Sequence, residues 1–299
     1  MKSIIPADVP AEKESLFKEN YDAITKQTGR LLLYACDQKI EHLNADFTGN
    51  AVHEDAAKPS HLFQIAQEGT IGAMAAHPGL ITRYARDYNG INYIAKLNGK
   101  TSLAPHERTA PMSASMYHVD DVLDLIADGV AIRGVGVTIY IGSEREEAML
   151  SFAAQVAHHA HQHGLVTVLW AYPRGPQVTD DQDPTLIAGA AGLGNVLGYD
   201  FVKVKPPHGT AGKTSAQHVH TAVTAAGNTG VICSGMSLQE PEDFLRTLAE
   251  QLEVGGTSGC ATGRNIFQRS LPEAVAMTRA IAALVYQNAS VEQAIGILT

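Results

Sequence analysis

Residues 200–207 read Asp-Phe-Val-Lys-Val-Lys-Pro-Pro, a short run that alternates strictly and then breaks on two prolines. Alternation of this kind belongs to a strand, with Val202 and Val204 on one face and Lys203 and Lys205 on the other. Similar runs lie on both sides of it. They are RLLLYACD near 30–37, TIGAMAA near 70–76, INYIAKLNG near 91–99, GVGVTIYIG near 134–142, VTVLWAYP near 166–173, TGVICSG near 229–235 and a weaker GTSGCATG near 256–263. With DFVKVKPP they make eight apolar runs, each closing on polar residues, glycine or proline.

Helical patterns separate them. EREEAMLSFAAQVAHHAHQHG carries an acidic first turn and Gly164 as a left-handed stop, and DPTLIAGAAGLGNVLG offers Asp183 as N-cap, Pro184 at the first helical position and Gly198 past the end. SLQEPEDFLRTLAEQLEVGG and SLPEAVAMTRAIAALVY repeat the scheme, and another helix is expected from near Ser60. Strands buried on both faces and joined by helices require a parallel sheet. Eight such units predict a single-domain α/β fold, the closed (β/α)8 TIM barrel, with an open doubly wound sheet as the alternative. Residues 30–299 would form the barrel and residues 1–29 an N-terminal helical extension over its bottom or beside it.

Composition agrees with one large soluble domain. The 299 residues are 45% hydrophobic and 18% charged, which excludes a disordered or coiled-coil chain. A net charge of −9 offers no broad positive surface for a phosphate backbone, so nucleic acid is not an expected partner. Arg133 interrupts even the most apolar stretch, so no membrane span is expected. Cys36, Cys233 and Cys260 are odd in number and far apart, which fits a reduced, cytoplasmic setting.

In a barrel the site is built at the C-terminal ends of the strands. There Lys203 and Lys205 both point inward. Burial disfavours an ammonium, and a like charge about 7 Å along the same face adds repulsion, so one lysine should be an uncharged nucleophile able to form a Schiff base. The plainer alternative is a pair of lysines reaching the rim to bind phosphate or a carboxylate. Lys96 is a further inward candidate and leaves the imine lysine unassigned by alternation alone. Trp170 and Tyr172 share a face, and a phenol there can shuttle a proton, or simply fill the mouth. Asp37 ends the first run as a hydroxyl-orienting carboxylate, an N-cap, or a lysine's ion-pair partner. Ser234-Gly235 and Gly263-Arg264-Asn265 end the last two runs, where this architecture cradles phosphate. His158, His159, His161 and His163 are read as helix-end residues complementing the dipole, and Glu41, His42, His77 and His208 lack ligand spacing, so no metal or other cofactor is expected.

Taken together, ACDQKIEHLNADF, VGVTIYIGSEREEAM, LWAYPRG, DFVKVK, CSGM and ATGRNIFQR resemble, in order and spacing, the archaeal-type (DhnA-type) class I fructose-bisphosphate aldolases of the wider DeoC group. The resemblance implies a metal-independent lyase of glycolysis or gluconeogenesis acting on a sugar phosphate, and a homo-oligomer. It implies Lys203 as the Schiff-base lysine, Tyr172 as acid/base, Asp37 as its assistant and Trp170 as a substrate wall. Lys205 would be the cationic neighbour, and Ser234, Gly235, Gly263 and Arg264 would hold phosphate. A Schiff-base transaldolase and a non-catalytic phosphate-metabolite binding barrel are the alternatives. The chain departs from the family at Gln38-Lys39, where relatives have His-Gly, and at Met236, where they have a glycine whose positive φ a methionine adopts only at a cost.

Overall fold

The computed structural model describes residues 5–41, 45–49, 52–101 and 111–298. Eight parallel strands close on themselves: β1 (Leu31–Ala35), β2 (Ala73–Ala76), β3 (Tyr93–Lys96), β4 (Ile132–Ile141), β5 (Val166–Pro173), β6 (Phe201–Val204), β7 (Gly230–Ser234) and β8 (Gly259–Thr262). Neighbours in sequence are neighbours in the sheet, and β8 pairs with β1, so the fold is the (β/α)8 barrel.

Helices follow the strands where their caps place them. Asp183 accepts hydrogen bonds from the Thr185 and Leu186 amides and Pro184 opens the helix Pro184–Val196, so its first-turn donors are satisfied locally. Gly164, at φ +68°, turns the chain out of the helix Glu146–Gln162 into β5.

The alternation of each strand divides the core in two. Leu32, Val135, Leu169, Val202 and Val204 face the surrounding helices, whereas Leu33, Ala75, Ile94, Val168, Phe201, Ile232 and Ala261 fill the barrel. Val9, Phe17 and Ile24 join the interior group from below: the helix Glu14–Thr25 closes the N-terminal end, with Tyr21 stacked on Phe201 at 5.6 Å between centroids. The site must therefore open at the other end.

Two runs end differently from their sequence reading. The third breaks after Lys96, and Asn98–Gly99 pairs antiparallel with Ala114–Ser115 as a small separate sheet. The sixth stops at Val204, because the two prolines that follow Lys205 cannot donate to a ladder.

His161 is fully buried on the helix Glu146–Gln162. Its Nδ1 lies 2.8 Å from Asp8 Oδ1 and its Nε2 3.3 Å from Asp200 Oδ2, while Asp200 also accepts from the Thr167 amide and hydroxyl. Burial alone would lower the His161 pKa, but the hydrogen bonds and charges of Asp200 and Asp8 outweigh it, and the net shift is upward. The two carboxylates thus favour the imidazolium form of the ring, which staples the N-terminal segment to the barrel floor. Replacing it with leucine strands the Asp200 carboxylate, at a cost of about 2–3 kcal/mol in urea unfolding. Because the folded pKa is raised, the staple's stabilisation is complete below the unfolded value and fades as pH rises through the folded one. The gap between wild type and His161→Leu should narrow toward alkaline pH; a gap that widens would mean the ring is held neutral.

Candidate active site

Register sets the level of each inward side chain. Thr138 on β4, Trp170 on β5 and Lys203 on β6 are successive Cα partners, and Tyr140 and Tyr172 pair one level nearer the mouth. Gly136 makes room for this layer, since a Cβ there would fall 2.3 Å from Trp170 Cζ3. The indole Nε1 of Trp170 and the Thr138 hydroxyl are buried and have no hydrogen-bond partner among the described residues, so two polar groups of this layer are uncommitted.

The two inward lysines differ in their surroundings. Lys96 is fully buried, and its Nζ lies 3.2 Å from Asp37 Oδ2, 3.0 Å from Glu41 Oε1 and 4.6 Å from the Trp170 ring. Burial works against its charge, but Glu41 and Asp37 prevail and its pKa is raised. Lys203, 5% exposed, has its Nζ 5.5 Å from the Trp170 ring, and no carboxylate of the described residues ion-pairs with it. Burial lowers its pKa; Asp37 and Glu41 pull upward, Lys96 and Arg264 pull downward, and the net shift is down. Of the pair, Lys203 is the one whose pKa is lowered, because the carboxylates pair with Lys96.

Tyr172 is half-buried on the same face, and its hydroxyl makes no hydrogen bond among the described residues. Burial, then the charges of Asp37 and Glu41, push its pKa well up, so it rests as the neutral phenol. Asp37, 6% exposed, serves as the ion-pair partner of Lys96. Glu41, entertained from sequence only as a metal ligand, holds Lys96 and accepts a hydrogen bond from Tyr140 at 3.3 Å. His77 lies 3.0 Å from the Asn98 carbonyl, His208 pairs with Asp180, and His42 lies outside the described residues. A buried amine of lowered pKa beside a phenol and a carboxylate can condense with a carbonyl and move protons on the adduct.

Some sequence expectations are corrected here. Lys205 does not share the interior with Lys203: it lies beyond β6 and is tied to Asp181, and the second cation inside the barrel is Lys96. Gly235 does not offer its amide to an anion, because that N–H donates to the Ala261 carbonyl at 3.1 Å. Its lack of a side chain instead permits close packing, since a Cβ would lie 3.1 Å from Thr262 Cγ2. Met236 does adopt the left-handed conformation, at φ +58°, a strain of about 1 kcal/mol. Buried Asn265 holds it there: its amide donates to the carbonyls of Gly235 and Ser237 at 2.7 and 2.9 Å, and its oxygen accepts from the Gln239 amide at 2.8 Å. Ser234 ends β7 with its hydroxyl 3.4 Å from Met236 Sδ, and Gly263 precedes the short helix Arg264–Phe267, whose Arg264 lies 3.7 Å from Asp46.

The sequence pattern of the DeoC/LacD family aldolases matches residues 31–269. The chain is 47% identical over 294 residues, 98% of its length and 93% of the relative's, to the fructose-bisphosphate aldolase/6-deoxy-5-ketofructose 1-phosphate synthase of Methanocaldococcus jannaschii. Among solved structures, a fructose-bisphosphate aldolase from Slackia heliotrinireducens superposes with a TM-score of 0.97 at 47% identity, covering 99% of this chain and 94% of that one. An archaeal fructose-1,6-bisphosphate aldolase, solved with its catalytic lysine covalently bound to the carbinolamine intermediate of the substrate, gives 0.75 at 31% identity, covering 90% and 99%. With these likenesses spanning the whole barrel, the chain belongs to the DeoC/LacD family of aldolases and is an enzyme of the lyase class.

Proposed function

We propose that the protein is a class I, Schiff-base aldolase that cleaves or forms a ketose phosphate such as fructose 1,6-bisphosphate, with dihydroxyacetone phosphate as the three-carbon donor. One observation carries the reading: Lys203 is a buried amine without an ion-pair partner among the described residues, one register step from Trp170 and beneath Tyr172. The relatives' names and the covalent intermediate of the archaeal structure support it.

In the cleavage direction the Lys203 amine adds to the C2 carbonyl, and loss of water gives the iminium. The C4 hydroxyl proton goes to Tyr172 as that phenol passes its own proton to Asp37, whose charge already bears on it. The C3–C4 bond breaks, its electrons move onto the iminium nitrogen, and the aldehyde departs. Protonation of the enamine at C3 and hydrolysis of the imine return dihydroxyacetone phosphate and the free amine. Trp170 walls the substrate. Arg264, with Ser234, Gly263 and the loop around Gly235, receives the donor phosphate, Gly235 contributing space rather than an N–H. The reading extends to a homo-oligomer in the cytoplasm serving glycolysis or gluconeogenesis. The three cysteines, buried free thiols, accord with a reducing setting, and no helix among the described residues is long and apolar enough to cross a membrane.

Borohydride added with dihydroxyacetone phosphate should leave a reduced adduct on the peptide bearing Lys203, and aldehyde release should need no acceptor. Tyr172→Phe should lower kcat about 100-fold while the adduct still forms, because the phenol acts after the imine. A variant at wild-type kcat would remove Tyr172 from the mechanism.

A further inference from the structure

The four histidines near the end of the helix Glu146–Gln162 do not share one environment. His161 is buried against Asp8 and Asp200, and His158 stands 3.6 Å from Asp8. His159 and His163 are four residues apart, which puts them on one face of the helix, and their ring centroids lie 5.1 Å apart. That face meets Asp120, in the first turn of the helix Val119–Ala127, whose Oδ1 lies 3.5 Å from His159 Nε2. One nitrogen from each ring and one carboxylate oxygen all fall within 4.8 Å of one another. None of the three side chains makes a hydrogen bond among the described residues.

The helix dipole does not account for this grouping. Only a charged imidazolium complements a helix C-terminus, whereas burial, His159 and Lys13 hold the His163 pKa below its ordinary value against the pull of Asp120. At neutral pH that ring keeps a free lone pair. Zinc holds imidazole nitrogens and carboxylate oxygens at about 2.0–2.2 Å, so tetrahedral ligands stand about 3.3 Å apart. The His159–Asp120 pair is already near that spacing, and the widest pair of ligand atoms needs to close by at most about 1.5 Å. Two imidazoles with one carboxylate suit zinc and its transition-metal neighbours, not magnesium or calcium, which prefer oxygen. Asp120 is exposed and both rings are partly so, which leaves an ion a way in and leaves room for water as a further ligand.

We propose that Asp120, His159 and His163 form a zinc site that clamps the helix Val119–Ala127 to the helix Glu146–Gln162. The clamp has something to hold, because Val119 and Val122 are the buried residues of that nine-residue helix. It stands in the outer helical layer, at the end of the helix that Gly164 turns into β5, and away from the mouth where the strands deliver Lys203 and Tyr172. The ion takes no part in the chemistry of the barrel interior.

The test uses the full-length protein stripped of metal with a chelator and dialysed. Calorimetric titration with zinc chloride should show one ion per chain, and cobalt(II) in its place should develop the visible absorption of a site with nitrogen and oxygen ligands. His159→Gln, His163→Gln and Asp120→Asn should each weaken zinc binding about 100-fold, whereas His158→Gln, beside Asp8, should leave it unchanged. Zinc at about a hundredfold excess over its Kd should raise the thermal midpoint of the wild type by about 4 °C and leave the three variants unmoved, and magnesium chloride should raise neither. No binding at micromolar zinc, or binding as tight in the three variants as in the wild type, would overturn the site. Loss in both histidine variants but not in Asp120→Asn would overturn the clamp, since the ion would then sit on one helix alone.

Discussion

Lys203→Met brings cleavage of fructose 1,6-bisphosphate below about 10⁻⁴ of the wild-type rate, and no borohydride adduct forms with dihydroxyacetone phosphate. Methionine has nearly the length of lysine and no polar head, so the change isolates the amine. It sits on β6 between Trp170 and Ile232 in register, where an apolar side chain is welcome and relief of the buried amine should leave stability unchanged or slightly raised. Lys96 cannot take over. Its ammonium is ion-paired with two carboxylates and cannot give up its proton without losing both ion pairs. Mass mapping of the adduct decides the matter: trapping at Lys96 in the variant, or turnover near the wild-type rate, would mean that the imine lysine is elsewhere.

The barrel was legible because its signal is local. Alternation within DFVKVK and VTVLWAYP placed Lys203, Trp170 and Tyr172 inward; β5 spans the whole of VTVLWAYP, and β6 is DFVKVK less one residue at each end. What escaped depends on residues far apart in the chain. Asp37 and Glu41 follow β1 and Lys96 ends β3, so their ion pairs exist only once β2 is in place between those strands. Alternation also overran β6 by one residue, assigning Lys205 to an interior that its bond to Asp181 denies it. His161 read as one of several helix-end histidines, because its two carboxylate partners lie 153 and 39 residues away. The Met236 conformation depends on Asn265 in the short helix Arg264–Phe267, 29 residues on. Tyr140 did carry a usable local sign, sharing the parity of Thr138 on β4.

Lys96→Met should damage both the fold and the chemistry, each in a stated direction. The wild-type ammonium neutralises two carboxylates that are nearly out of water, with side chains 8% and 10% exposed for Asp37 and Glu41. Its removal takes away the ammonium with which both carboxylates pair, a loss of about 3–5 kcal/mol at neutral pH. The deficit should shrink as pH falls and one carboxyl takes up a proton, and Lys96→Met/Glu41→Gln should be more stable than the single variant because one of the two negative charges that Lys96 offset is then gone. Catalysis changes through Lys203. Burial is the largest influence lowering its pKa, Lys96 lowers it further, and Asp37 and Glu41 oppose them. Taking Lys96 away removes a repelling cation and releases two attracting anions, so the Lys203 pKa must rise and the uncharged fraction at a given pH must fall. The acidic limb of adduct formation with dihydroxyacetone phosphate, followed by borohydride trapping across pH, should therefore move to higher pH, and kcat near neutrality should fall with it. A limb that stays in place or moves toward acid would show that Lys96 does not set the charge of Lys203, and a double variant no more stable than the single would show that the two carboxylates are not what Lys96 holds in check.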